Sequence, residues 1–385
     1  MARYVKRPAY DETLSSWLYR VSVTRSGSQY SKFTAALRAL TKDVTHPISP
    51  LKYALGNEIG SETTLFANRD ADIDYDMNLV KGVVGASLEQ FGVNLQFFVP
   101  NSDLITPFSM RRYYCPDCLE EDVAAIGFPY WRKSWTYCMT GYCVQHNRLL
   151  AISRTSPSDY DRAWIAFKED SAGAPSNPFR RMRDRLAIRI QCWYFRQPGF
   201  NTFGLVHSGR SVAMFDLTYS LLLKCRTRFD GGGYACALAR EYRAQIVRQI
   251  LPLSERIQTG LAQAVPVQRA YALILTGMIL GLISTEHIAR FVGLARQHGI
   301  PWPSTPFEIG KMAMQYASRE EYFVLRELYS ATPASLVDRC ADFFRGLEHG
   351  AYSLRDEYSS RDREWLNSGS PHQRWMFRPQ SEVER

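Results

Sequence analysis

The chain has 385 residues, two or three domains at roughly 150 residues each. Its 45% hydrophobic and 13% aromatic content can bury sizeable cores, which excludes a largely disordered chain and a disulfide-stapled miniprotein. Lys and Arg number 47 against 38 Asp and Glu, and the resulting +9 suits a polyanionic partner as well as plain solubility over so long a chain.

The opening Met1-Ala-Arg-Tyr-Val-Lys-Arg-Pro8 is basic but has no apolar run, so it does not read as a secretory signal. Asp11 is placed to cap a helix carrying Leu14, Trp17, Leu18 and Val21, and Phe33, Ala36, Leu37 and Leu40 repeat the pattern after Gly27. Met77 to Val84 and Ser87 to Phe91 add two more short helices, and such a series forms a helical bundle or a helix-turn-helix arrangement. The alternating Asp70, Asp72, Asp74 and Asp76 lack the Gly and terminal Glu of a calcium loop, since Tyr75 and Lys81 stand there; they read as an acidic turn.

From Arg111 to Leu150 the chain is dense in Cys, Tyr and Trp, as expected of short strands in a small rigid module. Two polar stretches, Ser153 to Asp159 and Ser171 to Pro178, follow as linkers. From Phe179 to about Leu347 helical periodicity dominates, divided by Pro252, Pro266, Pro301, Pro303 and Pro306. The longest apolar run, Ala270 to Ile283, spans 14 residues, short of the roughly 18 that a membrane span needs, and is expected to be a core helix. A soluble intracellular protein with no membrane partner is the expectation.

Cys192, Cys225, Cys236 and Cys340 stand singly and read as small core residues, whereas Cys115, Cys118, Cys138 and Cys143 are crowded together. Cys115-Pro-Asp-Cys118, then 24 residues, then Cys143-Val-Gln-His146 is the spacing of a zinc ribbon. Each close pair aims two side chains at one point from a tight turn, and thiolate and imidazole suit zinc. With all four positions filled by protein, one closed, structural zinc ion is predicted. Cys138 is assigned to packing, because only Cys143 makes the short pair with His146. Trp131 and Trp135 are expected to pack beside the metal.

These residues also carry a resemblance. Arg112-Tyr-Tyr-Cys115-Pro-Asp-Cys118-Leu-Glu-Glu-Asp122, Tyr130-Trp-Arg132, Trp135 and Cys143-Val-Gln-His146-Asn-Arg-Leu149-Leu150 closely resemble the TniQ family. So does the earlier Arg7-Pro-Ala-Tyr-Asp-Glu12-Thr-Leu14-Ser-Ser-Trp17-Leu18-Tyr-Arg20. The resemblance implies targeting rather than catalysis: a transposition adaptor that links a target-site recognition complex to the AAA+ ATPase (TnsC-like) licensing insertion by a separate DDE transposase. Its length is similar to the shorter members that dock as dimers on a type I CRISPR effector complex with its guide RNA. The alternative within the family is a reader of attachment-site DNA. A homodimer is expected by likeness to those shorter members, in the bacterial cytoplasm and with the nucleoid when active.

The expected layout is mainly α: residues 1–105 a helix-turn-helix-like domain, 106–155 the zinc ribbon, and 156–385 a helical domain that with the ribbon forms the TniQ-type domain. Arg180, Arg181, Arg183, Arg185 and Arg189 crowd one segment, and Arg181, Arg185 and Arg189 fall four apart on one helix face beside an apolar stripe of Met182, Leu186, Ile190 and Trp193. This stripe is a candidate for sequence-blind, salt-sensitive phosphate contact, an acidic protein surface, or plain solvation. Arg132 and Lys133, with Arg111, Arg112 and Arg148, surround the ribbon and either meet a partner or orient the cysteine turns. A rival enzyme reading rests on His287-Ile-Ala-Arg290, the His-x-x-Arg box of tyrosine recombinases, but Ser284 or Thr285 capping a helix explains the same residues. No phosphate-binding Gly-x-x-x-x-Gly-Lys-Ser/Thr loop occurs, Gly231-Gly-Gly233 reads as a flexible turn, and ATP is left to a partner.

Overall fold

A computed structural model describes residues 9, 11–13, 16, 20, 105–107, 110–155, 161–169, 177–197, 200–201, 204–205, 210–226, 232–239, 251–314, 319–329 and 334–352. The expected helices around Phe33, Met77 and Ser87, and the acidic turn at Asp70, lie outside them. The fold is mainly α, with twelve helices and six two-residue strands among the described residues. It divides into two units, Met1–Ala174 with Gly199–Val206, and Pro175–Pro198 with His207–Arg385.

The first unit is built on two small antiparallel ladders. Strand β1 (Tyr113–Tyr114) pairs with β4 (Ala151–Ile152), Tyr114 opposite Ala151, and β2 (Tyr142–Cys143) pairs with β3 (Arg148–Leu149), Cys143 opposite Arg148. Helix α1 (Pro116–Ile126) follows β1 directly; Cys115 is its N-cap, Pro116 fills the first turn, and Gly127 closes it at φ 72° with its N–H on the Val123 carbonyl. The core beneath consists of Tyr114, Leu119, Trp131, Trp135 and Leu150, with Ala163 and Ala166 of α2 (Arg162–Lys168). Trp131 and Trp135 meet edge to face at 5.6 Å, and the Arg162 guanidinium lies 4.6 Å over Trp131. A further hairpin joins β5 (Phe200–Asn201) to β6 (Gly204–Leu205).

The amino-terminal motif is bonded into this core. Glu12 and Arg132 form an antiparallel bridge: Thr13 N–H donates to the Trp131 carbonyl at 2.9 Å and Lys133 N–H to the Asp11 carbonyl at 2.8 Å. Ser16 Oγ accepts the Trp131 N–H at 3.0 Å. Arg20 donates through two nitrogens to the buried Glu12 carboxylate, at 3.0 and 2.6 Å. The capping role predicted for Asp11 passes to Thr13, whose Oγ1 accepts the Ser16 N–H at 3.4 Å. Asp11 instead sits in a turn at φ 63° and accepts the Ser134 N–H at 3.2 Å. A short acceptor in left-handed backbone suits a turn held from outside better than a helix start.

In the second unit α3 (Pro178–Phe195) starts at Asn177, whose Oδ1 accepts the Arg180 N–H at 2.7 Å. Then come α4 (Arg210–Leu223), α5 (Tyr234–Ala239), α6 (Leu253–Gln263), α7 (Pro266–Ile279), α8 (Thr285–Gln297), α9 (Pro306–Ala313), α10 (Arg319–Tyr329), α11 (Ala334–Arg339) and α12 (Ala341–Tyr352). Helix α7 carries the apolar run from Ala270 and is buried on nearly all sides by α3, α4, α5 and α9, as a helix without a polar face must be. Proline opens α3, α7 and α9, where its missing N–H costs nothing. Gly233 is not a flexible turn residue: an added Cβ would stand 2.2 Å from the Leu222 carbonyl oxygen, so the glycine permits a close chain approach. None of the described helices is long and apolar enough to cross a membrane.

Tyr194 Oη donates to Asp216 Oδ1 at 2.7 Å, and burial pushes the Asp216 carboxyl up to about 7 against that bond. A folded carboxyl with a raised value holds a proton that the unfolded chain releases above about pH 4. Stability is therefore expected to fall as pH rises from about 4 to about 7 and to level off above. Asp216→Asn should flatten that slope and raise stability at pH 8 by about 1–3 kcal/mol, read from urea midpoints. An unchanged pH profile would refute it.

Candidate metal centre

Four donors converge between α1 and the β2–β3 hairpin. Cys115 precedes the helix and Cys118 lies in its first turn, so both sulfurs sit at the helix N-terminus, where backbone N–H groups favour negative charge. Cys143 ends β2 and His146 occupies the turn that Asn147 closes at φ 50°. Their ligand atoms all lie within 4.8 Å of one another; Cys118 Sγ is 3.5 Å from Cys143 Sγ, and His146 Nδ1 is 3.5, 3.3 and 3.6 Å from the three sulfurs. Tetrahedral coordination by thiolate and imidazole has donor–donor edges of roughly 3.5–3.8 Å, given metal–sulfur and metal–nitrogen bonds of about 2.3 and 2.0 Å. The donor set fits a four-coordinate metal ion.

The protonation of the three thiols bears on the same fit. The neighbouring Cys115 and Cys143 sulfurs, then burial, drive Cys118 far above its ordinary range. Cys143, accepting from Cys115 and Cys118, is driven far below. A divalent ion held there would displace the thiol protons, since the thiolate is the ligating form.

One residue at this site escaped the sequence reading. Glu121, one turn after Cys118, faces the hairpin: its Oε1 lies 2.9 Å from His146 Nε2, and its Oε2 accepts the Gln145 amide at 2.6 Å. Holding the proton on Nε2 leaves Nδ1 free for a metal, and a carboxylate behind a ligating imidazole strengthens it as a donor. The Cys-x-x-Cys-x-x-Glu spacing on a helix was the available signal, and it is weak without the hairpin in view. Asp117 adds a further clamp, accepting from Arg148 at 2.6 Å. Glu121→Gln is expected to weaken metal retention by about 10- to 100-fold, measured by chelator competition. Retention equal to that of the unaltered chain would refute this.

The other predicted site residues separate. Cys138 is buried 3.7 Å from Thr106 Oγ1 and is not among the converging donors. Arg132 turns inward, paired with Asp122 at 2.7 Å and lying 4.9 Å over the Tyr130 ring; Lys133 is buried, and Arg111 donates to the Thr106 carbonyl at 2.7 Å. Arg180 is half-buried and Arg183 buried beside Asp184, while Arg181, Arg185 and Arg189 are exposed along α3. His287 and Arg290 are exposed, and His287 N–H is capped by Ser284 Oγ, the non-catalytic account of that box.

The TniQ family model matches residues 4–150, from the amino-terminal motif to the last residue before β4. This segment is similar to the TniQ domain. The match binds into one family unit what the structure joins physically: Glu12, Ser16 and Arg20 on one side, the Cys115–His146 cluster on the other. Comparison with curated proteins and with solved structures returns no match to this chain. The match associates residues 4–150 with a family that works in transposition.

Proposed function

We propose that the chain is a non-catalytic targeting adaptor, linking a target-recognition complex to the AAA+ ATPase of a transposon whose DNA cutting and joining are done by another subunit. The TniQ match over residues 4–150 carries this reading. The four-donor cluster supports it, because a site filled by Cys115, Cys118, Cys143 and His146 keeps no open position for substrate or water. We assign the ion to zinc, one per chain and structural, since three thiolates and an imidazole in a tetrahedron suit it best. Its role is to stiffen a segment whose strands are two residues each, so that the amino-terminal motif has a fixed wall to bind. The target recogniser is either a type I CRISPR effector with its guide RNA or target DNA itself.

Affinity purification of the full chain from its native cells, with both protein and nucleic acid identified, tests this. Recovery of the ATPase with an effector and short guide RNA establishes RNA-guided targeting, and recovery of the ATPase with DNA alone establishes a site reader. Recovery of neither ATPase nor effector defeats the adaptor reading.

A further inference from the structure

We propose that the outer face of α3 is a docking surface for the phosphate backbone of double-stranded DNA. Arg181, Arg185 and Arg189 are exposed on this helix while Met182, Leu186 and Ile190 on its other side are buried, where α7 and α8 pack. The three guanidinium groups have no hydrogen bond or ion pair among the described residues, and the nearest acid on the helix, Asp184, is engaged by Arg183 at 2.7 Å. Exposed arginines in a globular protein ordinarily find local acids; three in a row with none among the described residues present a charge that an outside anion can meet.

The geometry selects a regular polyanion. Residues four apart on a helix rise about 6 Å per step, so the row spans about 12 Å. One strand of duplex DNA offers a phosphate every ~3.4 Å of axis, enough for each guanidinium to find its own. On the opposite, buried side of the helix start, Phe179 stacks on Phe291 at 5.2 Å and lies 5.7 Å from His298, which fixes α3 against α8 and leaves the arginine row outward. Base stacking adds little here, because the aromatic rings of α3 already pack on other rings: Phe179 on Phe291, half-buried Trp193 and buried Tyr194 against Phe215, and half-buried Phe195 against Tyr194. Single-stranded nucleic acid is held through stacking platforms, whereas contact by charge alone suits a duplex and reads no sequence.

This contact does not depend on which ATPase or effector the chain serves. Fluorescence anisotropy of the full chain with a labelled duplex of arbitrary sequence, titrated at several salt concentrations, measures it. The combined variant Arg181→Gln, Arg185→Gln, Arg189→Gln is expected to lower the slope of log affinity against log salt by about 2–3 and to weaken binding at low salt by about 10- to 100-fold. Replacing the same three with Lys should restore both, which separates lost charge from lost folding, and Arg345→Gln on α12 should leave both unchanged. An unaltered slope in the Gln variant, failure of Lys to restore it, or no duplex binding by the unaltered chain overturns the proposal. ATPase recovery would stand untouched in each case, so the adaptor reading fails or survives separately.

Discussion

Cys118→Ser is expected to give a chain that holds no metal and whose first unit does not fold, while the helices of the second unit persist. Cys118 links both halves of the site: it shares the α1 N-terminus with Cys115 and lies 3.5 Å from Cys143 and 3.3 Å from His146. A hydroxyl there supplies no thiolate. The ladders around it have two residues per strand, and the core under them is a handful of side chains, too little to hold the segment without the ion. Structural zinc contributes roughly 10 kcal/mol or more to isolated modules, so the loss should exceed what the remaining contacts supply. His146→Ala removes the single nitrogen donor and should act alike. Metal content by mass spectrometry and the near-ultraviolet dichroism of Trp131 and Trp135, which sit against the cysteines, report the two losses together. A metal-free Cys118→Ser with intact tryptophan signals would remove the structural role from the site.

Gly346→Ala is expected to destabilise the second unit by roughly 2–4 kcal/mol, a large effect for one methyl group. Helices α9 and α12 touch backbone to backbone: a Cβ at Gly346 would stand 2.1 Å from the Phe307 carbonyl oxygen, one at Gly310 2.2 Å from that of Phe343, and one at Gly350 2.4 Å from that of Lys311. None of these neighbours is a flexible side-chain end, so the helices must part. Glycine itself is a poor helix former by about 1 kcal/mol relative to alanine, and these three are kept where closeness outweighs that cost. Gly293 on exposed α8 meets nothing within 4 Å, and Gly293→Ala should stabilise by about 0.5–1 kcal/mol. Urea midpoints of the two variants should move in opposite directions; a shared direction would contradict the packing account.

The helical class and the zinc-ribbon spacing were legible because each rests on local pattern. Apolar residues at helical spacing mark α3 and α7, proline marks helix starts, and Cys-x-x-Cys with Cys-x-x-His marks two turns. What escaped are relations between distant segments. Nothing local in Glu12 says that its carboxylate takes Arg20 in a buried pair, nor that the strand around it bridges to Arg132. Asp11 departs from the sequence pattern for the same reason: its letter suits an N-cap, but its partner, Ser134, lies 123 residues on. Arg132 and Lys133 look like a basic loop in sequence, yet Asp122 and the surrounding rings draw Arg132 in, and Lys133 is buried beside it. Among the ribbon's neighbours, Glu121 shows how a positioning residue stays hidden until the turn it supports is placed next to it.

The adaptor reading is tested most directly by asking whether the chain carries the ATPase to target. The measurement is retention of purified AAA+ ATPase on immobilised target DNA bearing the recognition complex, with and without the full chain. Retention that requires the chain, with no strand cleaved by it, is the result expected of an adaptor built on a TniQ-like domain. Equal retention in its absence, or DNA breakage dependent on the chain alone, would contradict the account.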